Sequence, residues 1–74
     1  MRLNRYSLDA WRIERGLTIT DLAAATGKDR TTVGKIIAGT RSATPAFIND
    51  AARALKVPKR ALLEDPNAAG EDAA

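Results

Sequence analysis

Apolar side chains recur along this chain at helical spacing, and nowhere in the strict alternation of a half-buried strand. Ser7 is a good N-cap residue, Leu8 and Trp11 follow with Ala10 beside them, Asp9 suits a first turn, and Arg12 and Arg15 suit a last one before Gly16. A first helix is therefore expected over about residues 8–15. Thr18 followed three residues later by Asp21 is a capping-box variant, and Ile19, Leu22, Ala23 and Thr26 run on to Gly27, giving a second helix over 19–26. Asp29 caps a third, over 30–38, in which Val33, Ile36 and Ile37 fall at i, i+3 and i+4 before Gly39. Thr44-Pro45 reads as an N-cap followed by proline at the first helical position, and Ile48, Ala51, Ala52 and Leu55 trace one face of a fourth helix over 45–55. After Val57, Pro58 opens a short fifth helix that brings Ala61, Leu62 and Leu63 over the core.

The connections are short and, among residues 1–64, the glycines other than Gly34 fall at helix ends. The fold expected is all-α, a compact five-helix bundle over residues 7–64, with a short basic arm at 1–6 and a tail at 65–74. The tail carries no large apolar side chain and is expected to be disordered. Leu8, Trp11, Leu17, Leu22, Val33, Ile36, Phe47, Ile48, Leu55, Val57 and Leu62 supply the expected core. Trp11, at helical spacing from Leu8, belongs to that core rather than to a base-stacking platform. So thin a core implies modest stability.

Charge sharpens the picture. The 74 residues carry 12 Lys and Arg against 9 Asp and Glu, but four of the acids, Glu64, Asp65, Glu71 and Asp72, lie in the last eleven residues. Residues 1–63 thus hold 12 basic and 5 acidic side chains, and a small body with that excess expects a polyanionic partner. The chain has no Cys and no His, which excludes disulfides, a thiolate nucleophile and Cys-ligated zinc, and removes the commonest metal ligand and general base. Ser7 and Ser42 have no His partner, and Glu64 and Asp65 are neighbours near a chain end rather than a fixed acid-base pair. No catalytic, metal or cofactor site is expected, and no small-molecule ligand is evident. No apolar run approaches the roughly 20 residues of a membrane span, so a cytoplasmic, nucleoid-associated protein is expected.

The third helix carries the chemistry. At about 100° per residue, Val33, Ile36 and Ile37 occupy one arc, whereas Arg30, Thr31, Gly34, Lys35 and Ala38 lie on the other. Long donors beside small residues suit the DNA major groove, where Arg or Lys meets the N7 and O6 of guanine and a Thr methyl meets that of thymine. Gly34 weakens the helix by roughly 1 kcal/mol against Ala, but removes a side chain that would hold the backbone off the bases. A short second helix, a turn built on Gly27-Lys28 and a third helix entered through Asp29 have the spacing of a helix-turn-helix.

The run Arg12-Ile13-Glu14-Arg15-Gly16-Leu17-Thr18, then Asp21-Leu22-Ala23, Thr26-Gly27, Thr31-Thr32-Val33, Ile36, Gly39 and Arg41, resembles the helix-turn-helix domain of the phage repressor and Cro class, the xenobiotic-response-element family. The likeness continues through Pro45, Ile48, Ala52-Arg53-Ala54-Leu55 and Val57 to Leu62-Leu63. It implies a λ-repressor-like fold with the third helix as recognition helix, Arg30, Thr31 and Lys35 facing bases with Gly34 between them, and Thr32 toward a phosphate or the second helix. It also implies backbone grips at Thr18 and Ile19 and at Thr40, Arg41 and Ser42, with Lys28 in the turn. Two positions depart from the family. Ile19 stands where Gln is frequent, which leaves that clamp to backbone N–H groups. Ile37 stands where an acid often pairs with the arginine matching Arg12, which leaves Asp21 or solvent for Arg12.

Arg2 and Arg5 are candidate arm contacts to the adjacent groove or phosphates. Arg53, Lys56, Lys59 and Arg60 form a second basic cluster, which equally suits a helix C-terminus and solubility. The function expected is a sequence-specific double-stranded DNA-binding regulator, a repressor of prokaryotic or phage type, acting as a homodimer on a palindromic site. The rival is a protein-binding module of the same fold, antitoxin-like or an adaptor.

Overall fold

The computed structural model describes residues 2–64, and the tail expected to be disordered, 65–74, lies outside the described residues. Four α-helices follow one another, α1 (Arg5–Glu14), α2 (Ile19–Thr26), α3 (Arg30–Ala38) and α4 (Pro45–Leu55), and a 3-10 turn, Lys59–Leu62, ends the fold. Three of the helices start where a side chain dictates. Thr18 accepts from the N–H of Asp21, Asp29 from that of Thr32 and Thr44 from that of Phe47, with Pro45 at the first helical position of α4. Gly27 and Gly39 end α2 and α3 in the left-handed conformation, at φ 71° and 85°.

The first helix begins earlier than expected. Asn4, not Ser7, is its N-cap, and Asn4 Oδ1 accepts the N–H groups of Tyr6 and Ser7 at 3.1 and 3.2 Å. The reason is tertiary. Leu3 pairs with Leu63 in an isolated antiparallel bridge, the Asn4 N–H donates to Leu62 O at 2.7 Å, and the Glu64 N–H donates to Arg2 O at 2.9 Å. These bonds hold Asn4 extended, at φ −92° and ψ 101°, so that the helix starts at Arg5 and takes up Arg5 and Tyr6 from the expected arm.

The expected fifth helix does not form, for the same reason. Pro58 opens only the four-residue 3-10 turn, because Leu63 turns extended at φ −101° to meet Leu3. Among the described residues the architecture is thus four α-helices and a turn.

Leu8, Leu22, Val33, Ile36, Phe47, Ile48, Leu55 and Leu62 are buried, joined by Ala23, Ala51 and Ala52, whose small side chains keep the helices close. Trp11, Leu17 and Val57 are only half-buried, at the edge of this core. The Arg15 guanidinium lies 5.1 Å from the Trp11 ring centre, and Arg15 Nε donates to Leu55 O at 2.9 Å, meeting one of the carbonyls that the end of α4 leaves unpaired. Packing of α2 on both α3 and α4, with α1 laid against α3, α4 and the 3-10 turn, leaves the outer face of α3 open. Among the described residues, no helix is long and apolar enough to cross a membrane.

Candidate nucleic-acid interface

The segment from the start of α2 to the start of α3 is held by its own polar groups. Thr18 Oγ1 accepts the Asp21 N–H at 3.0 Å while Asp21 Oδ2 accepts the Thr18 N–H at 3.0 Å, a complete capping box. The buried Thr26 hydroxyl donates to Leu22 O at 2.9 Å, the Lys28 N–H donates to Ala23 O at 3.1 Å, and Asp29 Oδ1 then accepts the Thr32 N–H at 3.1 Å. Both carboxyls sit below the usual carboxylate range. The N–H and hydroxyl of Thr18 hold Asp21 there, and hydrogen bonds from Thr32, helped weakly by the charge of Arg41, hold Asp29 there.

On α3, Val33 and Ile36 are buried and Ile37 is half-buried against the core, while Arg30, Thr31, Lys35 and Ala38 are exposed. Thr32 is half-buried with its N–H in the Asp29 cap. A Cβ placed on Gly34 would meet nothing within 4 Å, so the space in front of this backbone is open. Lys28, Arg30, Lys35 and Arg41 have no carboxylate within ion-pair distance among the described residues. Two of these exposed cations, Arg30 and Lys35, stand on the small-residue face of α3, and the other two, Lys28 and Arg41, in the segments just before and after that helix.

The flanking positions gather at the two ends of this motif. At the start of α2 the capping box uses the Thr18 and Asp21 N–H groups and leaves those of Ile19 and Thr20 without acceptors among the described residues; Ile19 itself packs against the core. After α3, Thr40 doubles back so that its N–H and hydroxyl both donate to Lys35 O, at 3.0 and 3.2 Å, and Arg41 and Ser42 follow exposed. A groove beside the end of α3 brings Arg2, Arg5, Tyr6, Thr40, Arg41 and Ser42 together.

Two arginines are placed otherwise than expected. Arg12 turns neither to Asp21, whose carboxylate is occupied by Thr18, nor to solvent. It pairs with Asp9 at 2.8 Å and donates to Leu17 O at 2.8 Å, with its side chain only 17% exposed. Arg5, assigned to a free arm, instead donates through Nη1 to the carbonyls of Ile37 and Ala38 at the end of α3, both at 3.2 Å. Arg2 stays exposed and meets Glu64 at 3.3 Å. Asn4 is of a residue type that caps helices as Ser7 does; the placement of Arg5 had no local signal, since its partners on α3 lie more than 30 residues away. Among the described residues no group of three or more His, Cys, Asp and Glu gathers as a metal site.

Comparison with known proteins agrees with this geometry. A profile of the helix-turn-helix family matches residues 8–62. The restriction-modification controller protein C.AhdI from Aeromonas hydrophila is 32% identical and superposes with a TM-score of 0.76, over 80% of this chain and 89% of its own. A hypothetical transcription factor from Neisseria, NHTF, shares the fold at a TM-score of 0.73 over 99% of this chain and 91% of its own, with 21% identity. None of the curated proteins matches. The motif geometry, the profile match and the similarity to C.AhdI agree: this chain belongs to the helix-turn-helix family of DNA-binding domains, in its Cro and repressor class.

Proposed function

We propose that this chain is a transcriptional repressor that reads double-stranded DNA through the major groove with α3. The observation that carries this is the exposed face of α3, where Arg30 and Lys35, without ion-pair partners among the described residues, stand with Thr31 around the open backbone of Gly34. Arg30 and Lys35 donate to guanine N7 and O6, and the Thr31 methyl contacts thymine. Thr18, the free N–H groups of Ile19 and Thr20, Lys28, Thr32, Thr40, Arg41 and Ser42 grip phosphates on either side and set the register. C.AhdI bears the name of a controller protein, which supports a regulatory role by likeness.

A single domain of this size makes few base contacts, so operator-grade affinity calls for two copies on a palindromic site. Occupying promoter DNA then excludes polymerase, in the cytoplasm and on the nucleoid. No catalytic step, cofactor or small ligand enters this function.

One observation favours the rival, a protein-binding module of the same fold: Tyr6 and Ile13 on α1 are 69% and 63% exposed. Fluorescence anisotropy on a random duplex and on a selected-site pool, across a salt series, separates the two. Each phosphate contact contributes about −0.9 to the log-log salt slope. A steep slope with a subset of sequences retained at high salt supports the repressor. Weak binding that vanishes in moderate salt without any enriched sequence overturns it in favour of the protein-binding module.

A further inference from the structure

Arg5 lies outside the helix-turn-helix, yet it grips the end of α3. Nη1 donates to Ile37 O and Ala38 O at 3.2 Å each, the guanidinium stacks 4.4 Å from the Tyr6 ring centre, and Nη2 donates to the Tyr6 hydroxyl at 2.7 Å. Those two carbonyls are among the last of the helix, which find no partner within it. Gly39 comes next, at φ 85°, and a Cβ there would lie 2.7 Å from Arg5 Nε and 2.9 Å from Cζ. The glycine therefore leaves the space that the guanidinium fills, in addition to adopting a backbone conformation that side chains disfavour.

Arg5 has little freedom to be elsewhere. Asn4, immediately before it, caps α1 and is tied to Leu62, and Leu3 and Arg2 are tied to Leu63 and Glu64. The other arginine of α1 that lies within the helix, Arg12, is spent on Asp9 and Leu17. Among the described residues, Arg5 is then the one side chain of α1 that hydrogen-bonds α3. α3 is a short helix of nine residues with a glycine in its middle, so an external clamp on its last turn bears directly on its orientation.

From this we infer that Arg5 is a positioning residue for DNA recognition: it fixes the C-terminal turn of α3, and so the angle at which Arg30, Thr31 and Lys35 are presented, without contacting DNA itself. The inference rests on α3 being the reading helix. It joins the two chain ends of the domain to the recognition element, since the segment that holds Arg5 is the one paired with residues 62–64.

The test compares wild type with Arg5→Ala and Arg5→Gln by anisotropy on a selected and a random duplex across a salt series, at a temperature where circular dichroism shows each protein folded. Affinity for the selected duplex should fall roughly threefold to thirtyfold, the range that residues acting through a coupled element produce. Random-duplex affinity and the salt slope should stay as in wild type. Gly39→Ala, whose methyl displaces the guanidinium, should show the same pattern, and should lose less in the Arg5→Ala background than in wild type. Hydrogen exchange of the Gly39 and Thr40 amides, bonded to Ile36 O and Lys35 O, should quicken in Arg5→Ala. Equal losses on both duplexes with a slope smaller by about 0.9 would make Arg5 a phosphate contact and overturn the inference. Unchanged affinity on both duplexes would overturn it as well. If wild type itself shows no sequence preference, it is the DNA reading that fails, and unchanged amide exchange would then dismiss the clamp separately.

Discussion

Thr18 and Asp21 each satisfy the other's backbone N–H, both at 3.0 Å, at the point where α2 begins. The exchange fixes the entry of the helix-turn-helix with two side chains, and it leaves the N–H groups of Ile19 and Thr20 without acceptors among the described residues. Asp29 does the equivalent at the start of α3, through the N–H of Thr32. The two helices of the motif are thus each pinned at the N-terminus by an acid in its charged form.

Acid sensitivity follows from these caps. Thr18 lowers the Asp21 carboxyl and Thr32 lowers that of Asp29, so each folded value lies below the unfolded one, near 3.9. Their contribution is full above about pH 4 and is lost as pH falls through the depressed folded values. In Asp21→Asn/Asp29→Asn the caps keep hydrogen-bonding groups that do not titrate, so the fall of melting temperature between pH 5 and 2 should be shallower than in wild type. Circular dichroism melts at a series of pH values check this; parallel acid limbs would mean that other groups set the acid sensitivity.

Gly34 separates stability from binding. Its added Cβ meets nothing in the free protein, so Gly34→Ala should stabilise the fold by roughly 0.5 to 1 kcal/mol through helix propensity and the unfolded chain. In the proposed complex the same methyl would face the bases, so affinity for the selected duplex should drop. A urea titration and an anisotropy titration on the same sample measure both. A variant that gains stability and keeps its affinity would show that no close approach occurs at residue 34.

Lys56 ends α4 at φ 58° and ψ 42°, the one non-glycine with positive φ among the described residues. An L side chain in that region is disfavoured by about 1 to 2 kcal/mol, partly offset in a glycine variant by the greater freedom of its unfolded chain. Lys56→Gly should therefore stabilise by roughly 0.5 to 1 kcal/mol, read as a shift of the urea midpoint at unchanged slope. A lower midpoint would show that the Lys56 side chain has a stabilising role that outweighs its backbone strain.

The bounds of α2, α3 and α4 were legible because their signals are local: Thr18, Asp29 and Thr44 as caps, Pro45 as an opener, Gly27 and Gly39 as stops. The exposed face of α3 was legible for the same reason, since helical spacing alone separates Val33 and Ile36 from Arg30, Thr31 and Lys35. The start of α1 and the end of the fold were not. Ser7 is as good a cap as Asn4 by local chemistry, and the choice between them is made by the pairing of Leu3 with Leu63, some 60 residues apart in sequence. That pairing also converts the expected fifth helix into a 3-10 turn. Arginines were the least legible. Arg5 and Arg15 bond backbone carbonyls of distant helices, which no side-chain pattern announces, and Arg12, expected on Asp21 or in solvent, pairs with Asp9 and Leu17 O instead.

Reading of DNA by α3 is tested most directly by Arg30→Ala beside Arg41→Ala, each titrated on the selected and on a random duplex at two salt concentrations. Arg30 stands on the exposed face of α3 and Arg41 in the loop after it, neither with a carboxylate within ion-pair distance among the described residues. Arg30→Ala should cost roughly 1 to 3 kcal/mol on the selected duplex, relax base preference and leave the random duplex nearly untouched. Arg41→Ala should weaken both duplexes alike and reduce the salt slope by about one. If the two variants lose the same affinity on selected and random DNA, α3 grips the backbone without reading sequence, and the proposed recognition mechanism is wrong.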